Sequence, residues 1–272
     1  HETLKLIYPK IHCRISSGTP DNLLLEMAKP FIQGRNVIAF LNDDVLIPAQ
    51  CAAGKSPRDA ARYVAGGCWE VIVEGSEHSE GANNYFSMGK IMDCCIHPAD
   101  ESMAKSGMKF ELLDGAGSFD EAYKICLDNT RQALAQMLKC ISRNGRIWPL
   151  VNPAPFFSAC LDGCAESGVD YSNGGARYSP HGLPLTGMAI FIDSLLAIKE
   201  LCFDRKIALL PDLLRAVRSN WRNDEVLRLK AQRSPHFGDG DGAGAALAKR
   251  VLDEICDFVA TFSNERNAPY QC

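Results

Sequence analysis

The 272-residue sequence predicts an α/β fold, and three observations predict it. Leu4 to Ile15 alternates in the manner of a strand. Asn36-Val37-Ile38-Ala39-Phe40 is a short apolar run bounded by polar residues, the pattern of a buried strand. Between them lies a helical stretch, so the opening reads strand, helix, strand, the rhythm of a parallel sheet or barrel. Apolar residues make up 46% and charged residues 23%. Those proportions fit a soluble globular protein with a chain long enough to bury a core.

Each element has local signals. Thr19-Pro20-Asp21 supplies a capping hydroxyl, a proline at the first helical position and an acid in the first turn. The helix then runs through Leu23-Leu24-Leu25 and Met27 to a stop at Gly34. Asn42-Asp43-Asp44 closes the second strand. Active-site groups gather at the C-terminal ends of parallel strands, so Asn42 and Asp43 are candidate substrate contacts; capping is their other reading. Ser56-Pro57 opens a short helix leading through Tyr63 to Gly66-Gly67. Ser118 and Glu121 form a capping box for a long amphipathic helix carrying Ala122, Ile125, Leu134, Leu138 and Ile141. A proline-rich link from Pro149 to Pro155 leads to a helix from Phe156 to Ser167. Leu185 to Phe203 reads as an apolar helix with Asp193-Ser194 in its middle, where a buried Asp193 must find a partner. The last helix, Ala243 to Phe262, is entered from a Gly-Asp turn that lacks the spacing of a calcium loop. Gly174-Gly175 marks a tight turn or a close backbone approach.

Composition removes several function classes. A net charge of -4 gives no general basic surface for nucleic acid. No apolar run reaches about 18 residues, so no membrane span is expected, and no signal peptide is visible. A cytoplasmic protein is expected, and a start at His1 rather than Met reads as an excerpt of a longer product. Twelve cysteines are many, but a chain this long can build a core without disulfides. Cys126, Cys140, Cys202 and Cys256 fall in helical patterns, so most cysteines read as reduced core residues. Cys94-Cys95 and Cys160-x3-Cys164 lack zinc spacing, and the histidines show no HxxxH or HExxH pattern, so no metal is predicted.

The tetrapeptide Gly67-Cys68-Trp69-Glu70 carries the chemistry. It places a thiol at the tip of a tight turn with a carboxylate two residues on, and in extended chain such residues point the same way. Cys68 and Glu70 can therefore face one cavity, a hydrogen-atom carrier beside a proton acceptor. The alternative is a buried, inert cysteine and a surface glutamate.

With these residues in view, several segments together resemble the glycyl radical enzymes, the superfamily of pyruvate formate-lyase, diol and choline lyases and arylacetate decarboxylases. They are IHCRISSGTP (Ile11 to Pro20), AFLNDDVLIP (Ala39 to Pro48), DAARYVAGGCWE (Asp59 to Glu70), FSMGKIM (Phe86 to Met92), GCAESGVDYSNGGARY (Gly163 to Tyr178), DSLLAIKELCF (Asp193 to Phe203) and PHFGDGD (Pro235 to Asp241). The resemblance spans nearly the whole chain in order. It implies part of a ten-stranded α/β barrel with many surrounding helices, in which one loop carries a cysteine that becomes a thiyl radical. Cys68 matches that cysteine, and Glu70 matches the general base of the dehydratase and lyase branches. The implied activity is radical elimination: dehydration, C–N or C–C cleavage, or decarboxylation of a small molecule. Formate acetyltransferase activity is not expected, because that branch has two adjacent cysteines and Gly67 precedes Cys68 here. Trp69 stands where many relatives have a smaller aliphatic residue, and either floors a substrate pocket or packs against the barrel.

Residues 1–272 read as a single partial domain. The N-terminal region and the C-terminal glycyl radical domain, with its Arg-Val-x-Gly-Tyr type segment, have no counterpart, so this piece alone is expected to be inactive. The implied cofactor is a glycyl radical on the missing segment. S-adenosylmethionine and an iron–sulfur cluster belong to a partner radical-SAM activating enzyme, and the resemblance leaves room for a homodimer. Two competing readings are a thiol hydrolase with Cys68 as nucleophile and His78 or His181 as base, and a non-catalytic remnant of the fold.

Overall fold

The computed structural model describes residues 10–67, 70–78, 84–98, 106–240 and 242–272, which form two compact units. The described residues of 1–83, 145–182 and 265–269 make the first; 84–144, 183–264 and 270–272 make the second.

In the first unit, β1 (Ile11–Ile15) and β2 (Ile38–Asn42) pair in parallel, Ile11 opposite Ile38 and Ile15 opposite Asn42. The crossover is α1 (Asp21–Ile32), so the expected strand–helix–strand opening is present. Residues 4–9 of the first expected strand lie outside the described residues. The start of α1 differs in detail from expectation: Pro20 is itself the N-cap, with no side-chain cap. The Thr19 hydroxyl instead accepts from the Ser16 N–H at 2.9 Å, closing the preceding turn. Next come α2 (Asp43–Ala52), α3 (Pro57–Ala60), capped by Ser56, and an antiparallel hairpin of β3 (Tyr63–Ala65) and β4 (Val71–Val73).

The expected helix from Phe156 to Ser167 is broken into one-turn helices at Pro155–Ser158 and Cys164–Ser167. Gly163 between them has φ +97°, and a Cβ there would lie 2.7 Å from the Gly175 carbonyl oxygen. A close backbone approach thus overrides the helical pattern. Leu161, Cys164, Tyr171 and Ala176 form a small apolar cluster beside it.

In the second unit, β5 (Phe86–Ser87) pairs in parallel with β6 (Leu185–Thr186). The helices are α4 (Met88–Ile96), α5 (Phe119–Gly145), α6 (Met188–Ile198), α7 (Leu210–Arg218), α8 (Glu225–Ala231) and α9 (Ala243–Ala260). As the apolar spacing of α5 predicts, Ala122, Ile125, Leu134, Leu138 and Ile141 are buried, alongside Phe191, Ile192 and Leu195 of α6 and Val251 and Ile255 of α9. Ser118 caps α5, its Oγ accepting from the Glu121 N–H at 3.2 Å. The Glu121 carboxylate reaches back to the Gly117 N–H at 2.7 Å, one residue short of a full capping box. The apolar stretch from Leu185 starts as strand because Gly187, at φ +70° and packed on the Gly89 backbone, separates β6 from α6. It ends in a π-helical turn, Lys199–Asp204.

Every sheet among the described residues is a two-stranded pair. A closed barrel needs a neighbour on both edges of each strand, so a ten-stranded barrel is not visible here; the α/β character is. The cysteines also differ from expectation. Cys94, Cys95, Cys126 and Cys164 are buried, while Cys140, Cys160, Cys256 and Cys272 are exposed. Cys140 follows the buried Leu138 by two residues, a rotation of about 200° that turns it to the outer face of α5. No described helix is long and apolar enough to cross a membrane.

Candidate functional site

The β3–β4 hairpin carries the Gly-Cys-Trp-Glu sequence between its strands. Tyr63 lies opposite Val73 and Ala65 opposite Val71, and the Gly66 N–H donates to the Glu70 carbonyl at 2.7 Å. Cys68 and Trp69 lie outside the described residues. Gly67 has φ +146°, and a Cβ there would sit 2.6 Å from Glu70 Oε2. The Glu70 carboxylate therefore folds back over the Cα of the residue preceding Cys68. A Cβ on Gly66 would meet the Ile72 side chain at 2.8 Å. The positive φ favours glycine at position 67, while both approaches are to the movable ends of the Ile72 and Glu70 side chains.

Strand β3 is tied down at its first residue. The Tyr63 hydroxyl donates to Asp43 Oδ1 at 2.5 Å. Arg14 forks onto the same carboxylate, Nε to Oδ1 at 2.8 Å and Nη2 to Oδ2 at 2.9 Å. The guanidinium also stacks 4.1 Å from the Tyr63 ring centre and donates to the Ala61 carbonyl at 3.0 Å. Hydrogen bonding from Arg14 holds the Asp43 carboxyl below its ordinary range. Burial, then the bond to Asp43, pushes the Tyr63 phenol up to about 12.

Strand β4 is tied down at its last residue. Val73 N–H donates to Glu77 Oε2 at 2.7 Å, and Lys55 Nζ reaches the same oxygen at 2.5 Å. The Lys55 and Glu77 side chains are 1% and 0% exposed, so this is a buried ion pair. Lys55 Nζ also donates to Gln50 Oε1 at the end of α2. Burial pulls the Lys55 amine below its ordinary value, with Glu77 opposing. Asp59 next to this region accepts from the Tyr178 hydroxyl at 2.8 Å.

The other candidate residues have defined places. Asn42 caps α2, its Oδ1 accepting from the Asp44 N–H at 3.0 Å. Asp193 Oδ1 accepts from the Phe237 N–H at 2.6 Å, the partner it was expected to need. A Cβ on Gly175 would overlap the Val169 carbonyl, the expected close approach. Cys94 and Cys95 are packed inside α4. Among the described residues no three His, Cys, Asp or Glu side chains converge as a metal site.

Of the two histidines of the hydrolase reading, His181 is fully buried and His78 half-buried. His78 stands edge-on to Tyr171 with ring centres 4.5 Å apart. Burial, then the positive charges of Arg266 and His181, pulls its imidazole down to about 4. Such a group is a weak base at neutral pH. His181 Nε2 lies 3.0 and 3.2 Å from the two Glu265 oxygens and 3.0 Å from Arg266 Nη2. The sequence reading did not single out Arg14, Tyr63, Gln50, Lys55 or Glu77. Tyr63, read as the end of the helix opened at Ser56, instead begins β3, because α3 stops at Ala60.

Comparison with known proteins now adds to this geometry. The family model described as pyruvate formate lyase-like matches residues 1–272. The chain belongs to that family. It is 28% identical over 276 aligned residues to trans-4-hydroxy-L-proline dehydratase of Clostridioides difficile, covering 100% of this chain and 34% of the relative. It is 25% identical to (2S)-3-sulfopropanediol dehydratase of Klebsiella oxytoca, covering 98% of this chain and 33% of that protein. The glycerol-bound B12-independent glycerol dehydratase from Clostridium butyricum superposes with a TM-score of 0.84 at 27% identity, over 98% of this chain and 34% of that one. The chain thus spans about a third of the length of the relatives it matches. Those relatives are dehydratases by name, and this chain shares the mixed α/β fold of the glycerol dehydratase over the part it covers.

Proposed function

We propose that the protein is the cysteine-loop portion of a glycyl radical lyase that eliminates water or another leaving group from a small hydroxylated substrate. Cys68 carries the hydrogen atom and Glu70 the proton. The observation that carries this reading is the Glu70 carboxylate folded back over the Cα of Gly67, beside Cys68, in a chain whose relatives are named as dehydratases. A glycyl radical, held on a segment beyond these residues and installed by a radical-SAM activase, supplies the thiyl form of Cys68. The ten-stranded barrel, the radical domain, cytoplasmic location and any homodimer belong to the same proposal.

For a vicinal diol such as glycerol the step balances as follows. The Cys68 sulfur forms S–H as the substrate C–H beside the hydroxyl breaks. Glu70 takes the hydroxyl proton, and the resulting ketyl radical expels hydroxide from the adjacent carbon. That hydroxide leaves as water with the proton from Glu70. The product radical recovers hydrogen from the Cys68 S–H, so the thiyl is regenerated and no net oxidant is needed. This role needs a protonated, sheltered thiol rather than a thiolate nucleophile. Trp69 between the two residues is assigned to the pocket wall. Asn42 and Asp43, committed to the cap and to Arg14 and Tyr63, are assigned holding roles in place of substrate contact.

The test uses the full-length protein, activated anaerobically and offered trans-4-hydroxy-L-proline, glycerol and (2S)-3-sulfopropanediol. Cys68→Ser should abolish turnover of whichever is accepted. Glu70→Gln should lower kcat by about 10²–10⁴-fold, the usual worth of a positioned acid–base group. Turnover that survives Cys68→Ser sinks the proposal.

A further inference from the structure

Helix α2 touches both strands of the hairpin through side chains at its two ends. At its first residue, Asp43 accepts from the Tyr63 hydroxyl of β3 at 2.5 Å and from Arg14. At the other end, Gln50 accepts from Lys55, which pairs with Glu77, which in turn accepts from the Val73 N–H of β4. Lys55 is bound back to the same helix end, its N–H donating to the Gln50 carbonyl at 3.1 Å. The two ties attach at residues that face each other across the ladder, Tyr63 and Val73. They therefore fix the base of the hairpin. Two polar ties on facing strands set position and rotation, whereas apolar packing alone sets mainly distance, because hydrogen bonds are directional.

We propose that α2 is the mount of the cysteine hairpin, with Asp43 and Glu77 as positioning residues that aim Cys68 and Glu70. This rests on the functional reading above, and it reassigns Asp43 from substrate contact to alignment. The charge-neutral frame suits the purpose. Arg14 offsets Asp43 and Lys55 offsets Glu77, so neither tie leaves a net charge beside a radical site. Displacing a reacting atom by about 1 Å can cost about 10²-fold in rate, which sets the scale of the expected effect.

The test needs no substrate. In the activated full-length protein in D₂O, the glycyl radical takes deuterium from the Cys68 S–D. The thiyl then takes back either hydrogen isotope. The splitting of the radical's electron resonance by its α-hydrogen collapses at a rate that depends on how well the sulfur is aimed. Cys68→Ser should abolish the collapse while the signal persists. Asp43→Ala should slow it about 100-fold, and Asp43→Asn, which keeps an acceptor for Tyr63 but not the charge paired with Arg14, and Tyr63→Phe each about 10-fold, with radical content per chain within twofold of wild type. A substrate-contact role for Asp43 leaves the exchange unchanged, as does a purely stabilising one in the folded fraction. Tyr63→Phe removes one hydrogen bond and no packing volume, and decides the matter if Asp43→Ala does not fold. Wild-type exchange in Tyr63→Phe and Asp43→Asn, with Cys68→Ser silent, overturns the mount and leaves the Cys68 reading standing. Exchange that persists in Cys68→Ser overturns the functional reading itself, and the mount with it.

Discussion

The two units are held together by different physics. In the second, long helices bury a continuous apolar cluster from Phe86 to Tyr270, and its buried polar ties, such as Asn129 to the Glu111 carbonyl at 2.8 Å, are uncharged. In the first, the cysteine hairpin is short, three residues per strand, and its base is fixed by Asp43, Arg14, Lys55 and Glu77. Apolar burial is strong but tolerant of small shifts, since its free energy follows area rather than direction. On the proposed function the hairpin tip presents one sulfur and one carboxylate, and that needs direction. The contrast teaches that the chain spends charge where it must aim, and hydrophobic area where it must only hold.

The largest effect expected from breaking this contrast is at Glu77. Glu77→Ala leaves Lys55 buried without its counter-charge and should cost about 3–5 kcal/mol. The double variant Lys55→Met with Glu77→Leu should recover most of that stability, because an apolar pair avoids burying any charge. It should not recover activity if direction is what the pair supplies. Urea unfolding of the single and double variants measures the first effect, and equal destabilisation of the two would show that the buried charge is not the cause. A core truncation in the other unit gives the counterpart. Leu138→Ala on α5, fully buried, should cost about 3 kcal/mol by lost transfer energy and a cavity. Activity per folded molecule should stay within about twofold. A Leu138→Ala protein that is stable but inactive would erase the distinction between the two regions.

The same contrast explains what could be read without coordinates. The strand–helix–strand opening and the inward face of α5 were legible because period and capping are local properties of the sequence. The hairpin was legible as a turn from Gly66-Gly67, whereas the roles proposed for Cys68 and Glu70 rest on resemblance over many segments rather than on the tetrapeptide. What stayed hidden was long-range. Lys55 and Glu77 lie 22 positions apart and Arg14 and Asp43 lie 29 apart, and charges at such spacings carry no pairing signal. The break at Gly163 and the late start of α6 at Gly187 arise from backbones approaching glycines elsewhere in the fold, which a helical period does not report.

The smallest of these effects sharpens the picture of the first unit further, through pH. His78 sits against Tyr171 and Phe157 and near Arg266 and His181, which both contact Glu265. Its imidazole is depressed from 6.5 to about 4, so the folded state keeps it neutral where the unfolded chain is protonated. Between those two values the unfolded state binds more protons, and unfolding free energy rises with pH. The contribution of His78 is therefore fully present above about 6.5 and is lost as pH falls toward 4, where both states are protonated below it. Allowing for solvent around the partly exposed ring, the change is about 2 kcal/mol. The Glu265 carboxyl, held down against burial chiefly by His181, adds stability that is lost only at lower pH, as the carboxylate itself is protonated. The two windows separate the two groups. His78→Phe should flatten the stability profile between pH 4 and pH 6.5 and leave the acid limb in place. An unchanged slope in that variant would mean that the imidazole is charged in the folded state. The aromatic packing around it would then be tolerating a cation, as a polar frame does and an apolar core does not.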